Sequence, residues 1–206
     1  MRIPDNPHIE IRLLTSDDYS KLQVFCDQCR LLGWTNTSSF ENIKLDKMMM
    51  PWGQFFIGYD HTNDAIYNLA GVHRLPEIAP NAWRCMFRNC KLPMYAKPKF
   101  FTKNIYKTGY QISYFLPLQM QFIKQIDPTA EFYITTNNNN NPTDTSGKGK
   151  TTNHTLTHTL HKLNVLEKFI DDMQLYYTHQ TVWKVNESQY YNIREQQIGL
   201  FPICLN

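Results

Sequence analysis

Nowhere does this chain carry an uninterrupted run of about 18 apolar residues, so no membrane-spanning helix is expected. Its first residues, Met1-Arg2-Ile3-Pro4-Asp5, lack the apolar core of a secretory signal, and a cytoplasmic protein is expected. Five cysteines in 206 residues make an odd number with no regular framework, which fits reduced thiols rather than disulfides. Cys26 and Cys29 have redox-motif spacing, but there is no second pair to complete a zinc site. Both fall on an apolar helix face, so core thiols are expected.

The most informative absence is local. Between Ile78 and Ile126 there is no Asp or Glu, while Arg84, Arg88, Lys91, Lys97, Lys99, Lys103, Lys107 and Lys124 all lie there. This stretch carries +8 in a chain whose net charge is +3, so the remainder sums to −5. The whole chain is nearly balanced, and no generic affinity for polyanions follows from it. The positive stretch ends at the expected N-terminus of a helix, a natural place to hold an anion.

Two motifs lack the residue that would complete them. Ser146-Gly147-Lys148-Gly149-Lys150-Thr151-Thr152 ends like a P-loop, but Asp144 stands where the loop needs its first glycine, so a flexible loop is expected. His154, His158 and His161 share one helix face, opposite Leu156, Leu160 and Leu163. No carboxylate or thiol lies beside them, so a solvated face and no metal site are expected.

What is present suffices for an ordinary core: 42% hydrophobic and 14% aromatic residues, at the length of one domain. A single domain over residues 1–206 is expected, with a loop at 137–152 and a tail at 187–206. Ile9 to Leu14 reads as a strand, and Thr15-Ser16-Asp17-Asp18 as a helix start. Leu22, Phe25, Cys26, Cys29 and Leu32 recur at helical spacing up to a C-cap at Gly33. Ser38 or Ser39 caps a second short helix through Lys47. Gln54 to Tyr59 and Ala65 to His73 form a hairpin around the turn residues His61-Thr62-Asn63-Asp64.

Trp83 to Leu92 alternates as a further strand. A helix opens at Gly109 with Ile112, Phe115, Leu116, Phe122, Ile123 and Ile126 on one face. Pro117 must kink it or sit in the first turn of a shorter helix. Glu131 to Thr136 is a strand of β-formers. Asn153 caps a helix carrying Leu156, Leu160 and Leu163. Two strands follow, at Glu167 to Phe169 or Leu175 to Thr178, and at Thr181 to Val185. Leu200, Phe201, Ile203 and Leu205 in the tail are apolar enough to dock on the body. The order β-α-α-β-β-β-α-β-α-β-β is an α/β (α+β) mixed sheet with helices on both faces. Strand, basic loop, helix and strand around 82–136 should form a right-handed crossover between parallel strands.

This order is similar to the GNAT (Gcn5-related) N-acetyltransferase superfamily over roughly Ile9 to Val185. Glu131-Phe132-Tyr133-Ile134-Thr135-Thr136-Asn137 resembles the family's fifth strand. Leu160 to Phe169 looks like its helix-to-strand passage. Tyr176-Tyr177 with Thr181-Val182-Trp183-Lys184 looks like its closing hairpin. The chain also looks like phage-encoded members, which suits a composition rich in Asn, Lys, Ile and Tyr and would put it in a host cytoplasm.

The resemblance implies an N-acyltransferase moving an acetyl or other acyl group from acyl-CoA to an amine by direct attack, with acetyl-CoA as co-substrate. It places the pantetheine along the fourth strand's end at Cys90, Lys91 and Leu92, and the pyrophosphate at Lys107, Thr108, Gly109 and Tyr110. The family's loop reads Arg/Gln-x-x-Gly-x-Gly/Ala. Here it is Tyr106-Lys107-Thr108-Gly109-Tyr110-Gln111, which keeps the first glycine and departs at the leading residue and the second small one. Acylation wants a base for the attacking ammonium and a donor for the departing thiolate. His73, Glu77 and Tyr177 (or its neighbour Tyr176) are the candidates near the implied cleft. The alternative is a non-enzymatic binding module. Its basic loop 91–107, with Trp83, Tyr95, Phe100, Phe101 and Tyr106, would contact nucleic acid or a host protein. A third reading of the same loop is a solvated segment whose aromatics pack on the body.

Overall fold

The computed structural model of the chain describes residues 2–3, 6–31, 53–90, 114–137, 160–175 and 178–198. Their strands are β1 (Arg2–Ile3), β2 (Asn6–Leu13), β3 (Gln54–Asp60), β4 (Ala65–Arg74), β5 (Ala82–Cys90), β6 (Glu131–Asn137), β7 (Leu166–Leu175) and β8 (Thr178–Val185). They form one sheet in the order β1-β2-β3-β4-β5-β6-β8-β7. Helices α1 (Tyr19–Leu31), α2 (Leu116–Ile126) and α3 (Glu187–Ile198) accompany it, and residues 160–162 are also helical. Every neighbouring pair is antiparallel except β5 and β6, which run parallel as the crossover reading expects.

β3 and β4 are buried on both faces, which is why Phe55-Phe56-Ile57 and Ile66-Tyr67 read as apolar runs rather than as alternation. One face packs on α2 and α3 through Ala70, Val72, Trp83, Cys85, Phe132, Ile134 and Tyr190. On the other, α1 lays Leu22, Phe25 and Cys26 over Phe55, Ile57, Leu69 and Met86. Further along that second face lie Ala82, Tyr133, Val182 and Leu175. Cys26 is buried, as expected of a core residue. The Thr15–Asp18 helix start is realised as a short 3-10 turn: the Asp18 carboxylate accepts from the Thr15 N–H at 3.0 Å and its hydroxyl at 2.9 Å.

Three elements differ from the sequence reading. In α2 Pro117 sits in the first turn, one of the two places the sequence allows it, after a wide helical turn at Tyr114 and Phe115, and what differs is the one-face reading. Leu116 to Met120 are buried all round and Ile126 is exposed, so the helix is inserted rather than laid on one stripe. β7 is one ten-residue strand, not either short alternative. Its register slips between Lys168 and Ile170 and again between Ile170 and Met173, which breaks the alternation. It is an edge strand, where slips and charges discourage pairing with other chains. The tail begins as α3, capped by Asn186, whose Oδ1 accepts from the Gln189 N–H at 3.1 Å. Gly33, the 38–47 helix, the 91–107 loop, Gly109, the 137–152 loop beyond Asn137, Asn153 and residues 199–206 lie outside the described residues.

Candidate active site

The parallel ladder between β5 and β6 is short. It pairs Ala82 with Glu131, Trp83 with Phe132 and Arg84 with Tyr133, and then stops, although the strands continue to Cys90 and Asn137. Beyond that point, among the described residues, β5 stays paired only with β4, and β6 only with β8. The sheet therefore opens into a gap at its centre.

Backbone direction within the gap follows from two bonds. The Asn81 carbonyl accepts from Glu131 on the β6 side, and the Ala82 carbonyl accepts from Leu75 on the β4 side. Alternation along a strand then turns Phe87 of β5 toward β6, and Thr135 of β6 toward β5, where the ladder no longer pairs them. An extended ligand carrying amides would find donors and acceptors there. The β4–β5 register also slips, since Ala70 faces Phe87 while Leu69 faces Asn89. Arg88 is thus the extra residue of a bulge inside the opened half, a device that re-aims backbone groups.

The closed end is pinned. The Trp83 indole N–H donates to Asp127, just past α2, at 3.0 Å, and the Arg74 guanidinium lies 5.2 Å from the Trp83 ring centre. Hydrogen bonds from Trp83 and Thr129 hold the Asp127 carboxyl below its ordinary range. Further along α2, the Gln119 amide donates to the carbonyls of Gly71 (2.7 Å) and Met86 (3.0 Å), bridging the β4–β5 seam.

At the root of the gap, on the sheet face that carries α1, lies a row of polar side chains. His73 of β4 is fully buried and faces Arg84 in the register. Its Nδ1 lies 2.7 Å from the Arg74 carbonyl, which makes that nitrogen an N–H donor. Arg84 donates from Nη2 to Gln180 Oε1 of β8 at 3.0 Å. Gln180 stands opposite Asn137, four residues beyond Arg84's partner Tyr133, so the arginine leans along the gap across β6. Thr135 sits between on the same face. Its hydroxyl is buried and has no hydrogen-bond partner among the described residues. Below the row, Tyr133 donates to Glu131 at 2.8 Å and Lys184 donates to the same carboxylate at 2.7 Å. Burial and the Glu131 charge push the Tyr133 phenol up, so it is a proton-bearing donor.

Of the residues the sequence singled out, His73 is at the root of the gap. Glu77 is exposed in the turn joining β4 to β5, at the end where β5 and β6 are still paired. Cys90 is the last residue of β5, in the opened half. Tyr176, Tyr177, Lys91, Leu92, Lys107, Thr108, Gly109 and Tyr110 lie outside the described residues. Of the three histidines, His161 is exposed and 2.9 Å from the Leu166 carbonyl, and no metal-holding cluster occurs among the described residues. Sequence reading counted Arg84 only as charge and passed over Thr135, Gln180 and Gln119. The available signal was an arginine and a threonine at strand positions facing the same side as His73.

No protein-family model and no curated protein matches the sequence. The fold has clear counterparts among solved structures. An acetyltransferase of the GNAT family from Staphylococcus aureus Mu50 is 12% identical with a TM-score of 0.51, covering 86% of this chain and 98% of that one. The spermidine N-acetyltransferase from Vibrio cholerae, in complex with CoA and spermine, is 11% identical with a TM-score of 0.50, covering 91% and 100%. FeeM, an N-acyl amino acid synthase from uncultured soil microbes, is 7% identical with a TM-score of 0.56, covering 89% and 93%. The structural neighbours are GNAT-family acetyltransferases, and the chain has their mixed α/β fold.

Proposed function

We propose that this chain is an N-acyltransferase that moves an acyl group from acyl-CoA to an amine. The observation that carries this reading is the β5–β6 ladder that ends at Arg84 and Tyr133 and turns the backbone of Phe87 and Thr135 into the gap. The amides of a pantetheine arm fit that donor and acceptor pattern, with Cys90 at the end of β5 and, on the family resemblance, Lys91 and Leu92 after it as further contacts. Lys107 with the amides of Thr108, Gly109 and Tyr110 would hold the pyrophosphate. Acetyl-CoA is the co-substrate we expect, and its presence in cytosol makes the cytoplasm the expected site of action, a phage-infected host's included.

In the reaction the acceptor nitrogen forms a bond to the thioester carbonyl carbon, and the carbon–sulfur bond breaks. His73 Nε2 is our candidate to take the ammonium proton, directly or through a water. A phenol such as Tyr177 would return a proton to the departing thiolate. Glu77, at the closed end of the ladder, would act only through a longer relay. Backbone N–H groups at the gap would stabilise the developing oxyanion.

Thermal unfolding and titration calorimetry with CoA test the reading. Saturating CoA should stabilise the fold by about 2–4 kcal/mol, and no shift at millimolar CoA would contradict it. The +8 stretch supports a second reading, a module binding nucleic acid through residues 91–107. It predicts retardation of single-stranded oligonucleotides that weakens as salt rises.

A further inference from the structure

We propose that Thr135 is a catalytic residue whose hydroxyl donates a hydrogen bond to the thioester carbonyl of a bound acyl-CoA and to the oxyanion that forms from it. This rests on the acyltransferase reading and adds to it a side chain that meets the reacting atoms.

Position is the first argument. The β5–β6 ladder ends with Arg84 paired to Tyr133. Thr135, two residues on, is thus the first residue of β6 whose N–H and carbonyl point at β5 without being paired there. An extended arm that runs along β5 from Cys90 is stopped by the closed ladder, so its thioester end lies at this level. Tyr133 precedes Thr135 on the same sheet face, but its phenol donates to Glu131, toward the closed end, at 2.8 Å. Thr135 therefore carries the first hydroxyl of β6 beyond the ladder on that face.

Bonding is the second. The Thr135 hydroxyl oxygen is buried and has no hydrogen-bond partner among the described residues. Threonines next to it are bonded: the Thr136 hydroxyl accepts from the Trp183 indole N–H at 3.0 Å, and the Thr181 hydroxyl donates to the Asp171 carbonyl at 2.8 Å. A covered hydroxyl without a partner is destabilising, and folded proteins keep few of them. Thr135 as a whole is only half-buried. A 120° turn about χ1 moves its hydroxyl to the place of the methyl group or of the Cβ hydrogen. That turn toward a ligand breaks no hydrogen bond.

The chemistry asks for such a donor. As the acceptor nitrogen bonds to the carbonyl carbon, the π electrons of the C=O bond move onto oxygen. The charge returns as the carbon–sulfur bond breaks and the thiolate leaves. The Thr135 hydroxyl keeps its proton throughout, and its hydrogen bond strengthens while the oxygen is charged. The N–H of the same residue, directed into the gap, is a second donor to that oxygen.

The test compares CoA, which has no thioester carbonyl, with acetyl-CoA, which has one, by titration calorimetry on the full chain. Thr135→Val should weaken acetyl-CoA at least fivefold and leave CoA within twofold of wild type. Thr135→Ser should keep the wild-type ratio. Thr135→Val should also unfold at a temperature no lower than wild type, since it removes a hydroxyl without a partner. With acetyl-CoA carrying 13C at the thioester carbonyl, the carbonyl stretch should lie at lower frequency on wild type than on Thr135→Val. No CoA binding by wild type would overturn the acyltransferase reading and this proposal with it. An unchanged acetyl-CoA to CoA ratio in Thr135→Val, or an equal loss of both ligands, would overturn the proposal alone.

Discussion

Gln119 is bonded to Met86 across layers: its side-chain amide, fully buried in α2, donates to the Met86 carbonyl of β5 at 3.0 Å and, with its other hydrogen, to Gly71 of β4 at 2.7 Å. This ties the inserted helix to the strand pair at the point where β5 leaves β6. The Gln119 Oε1 has no hydrogen-bond partner among the described residues. Gln119→Ala should cost about 2–4 kcal/mol, from lost hydrogen bonds plus a cavity. Gln119→Leu keeps the volume and removes the buried oxygen, so it should cost less than half as much. Denaturant unfolding of both variants measures this, and equal losses would refute the separation of bonding from packing.

A second prediction concerns Gly58 and Tyr67. The β3–β4 register slips so that Tyr67 is the extra residue on β4, and its ring lies where a Cβ on Gly58 would stand. Gly58→Ala should therefore destabilise by about 1–3 kcal/mol through overpacking. In a Tyr67→Ala background the same change should be nearly neutral, because the obstructing ring is gone. A double-mutant cycle reads the coupling, and additive losses would show that the clash is not the cause.

The Arg12–Asp18 pair sets a pH dependence. Both guanidinium nitrogens donate to the carboxylate at 2.6 Å. Burial raises the Asp18 pKa, but the bonds from Arg12 and Thr15 outweigh it and bring it from 3.8 to about 2. A folded-state pKa below the unfolded one gives stability that is complete above the unfolded value and lost as pH falls through the folded one. The gain is about 2 kcal/mol at neutral pH, since one unit corresponds to about 1.4 kcal/mol. Asp18→Asn should thus differ from wild type by about that much at pH 7, with the gap closing between about pH 4 and pH 2. A difference that stays constant down to pH 2 would contradict the assignment.

Cys26 and Cys85 are buried in the core, and burial drives the Cys85 thiol well above its ordinary pKa. Neither should react with iodoacetamide at pH 8 in the native state, and both should react in denaturant. Peptide mass spectrometry distinguishes them from the other cysteines. Fast native labelling of Cys85 would show that the core under α3 opens readily.

How much of this was legible in the sequence depended on where packing and pattern agree. The β3–β4 hairpin was plain, because aromatic and branched residues flank His61-Thr62-Asn63-Asp64 and both strands are buried. The β5–α2–β6 crossover was legible from its strand, helix and strand patterns, and its parallel pairing followed. α3 was not, since Glu187–Ile198 is polar along most of its length and buries only Tyr190, Ile193 and Arg194 among its described side chains. β7 was misread because Glu167, Lys168, Asp171 and Asp172 interrupt any alternation on an edge strand. At the site, His73 could be singled out by chemistry. Arg84, Thr135 and Gln180 acquire meaning only from register, which places residues from three strands on one face of the gap, and a sequence does not state register.

Amide hydrogen exchange of the full chain with and without acetyl-CoA distinguishes a ligand held in the gap from one held elsewhere. Acetyl-CoA in the gap should slow exchange in residues 85–90 of β5 and 134–137 of β6, its two edges, at least tenfold. Stabilisation by acetyl-CoA with protection confined to other elements, or no protection at all, would contradict it.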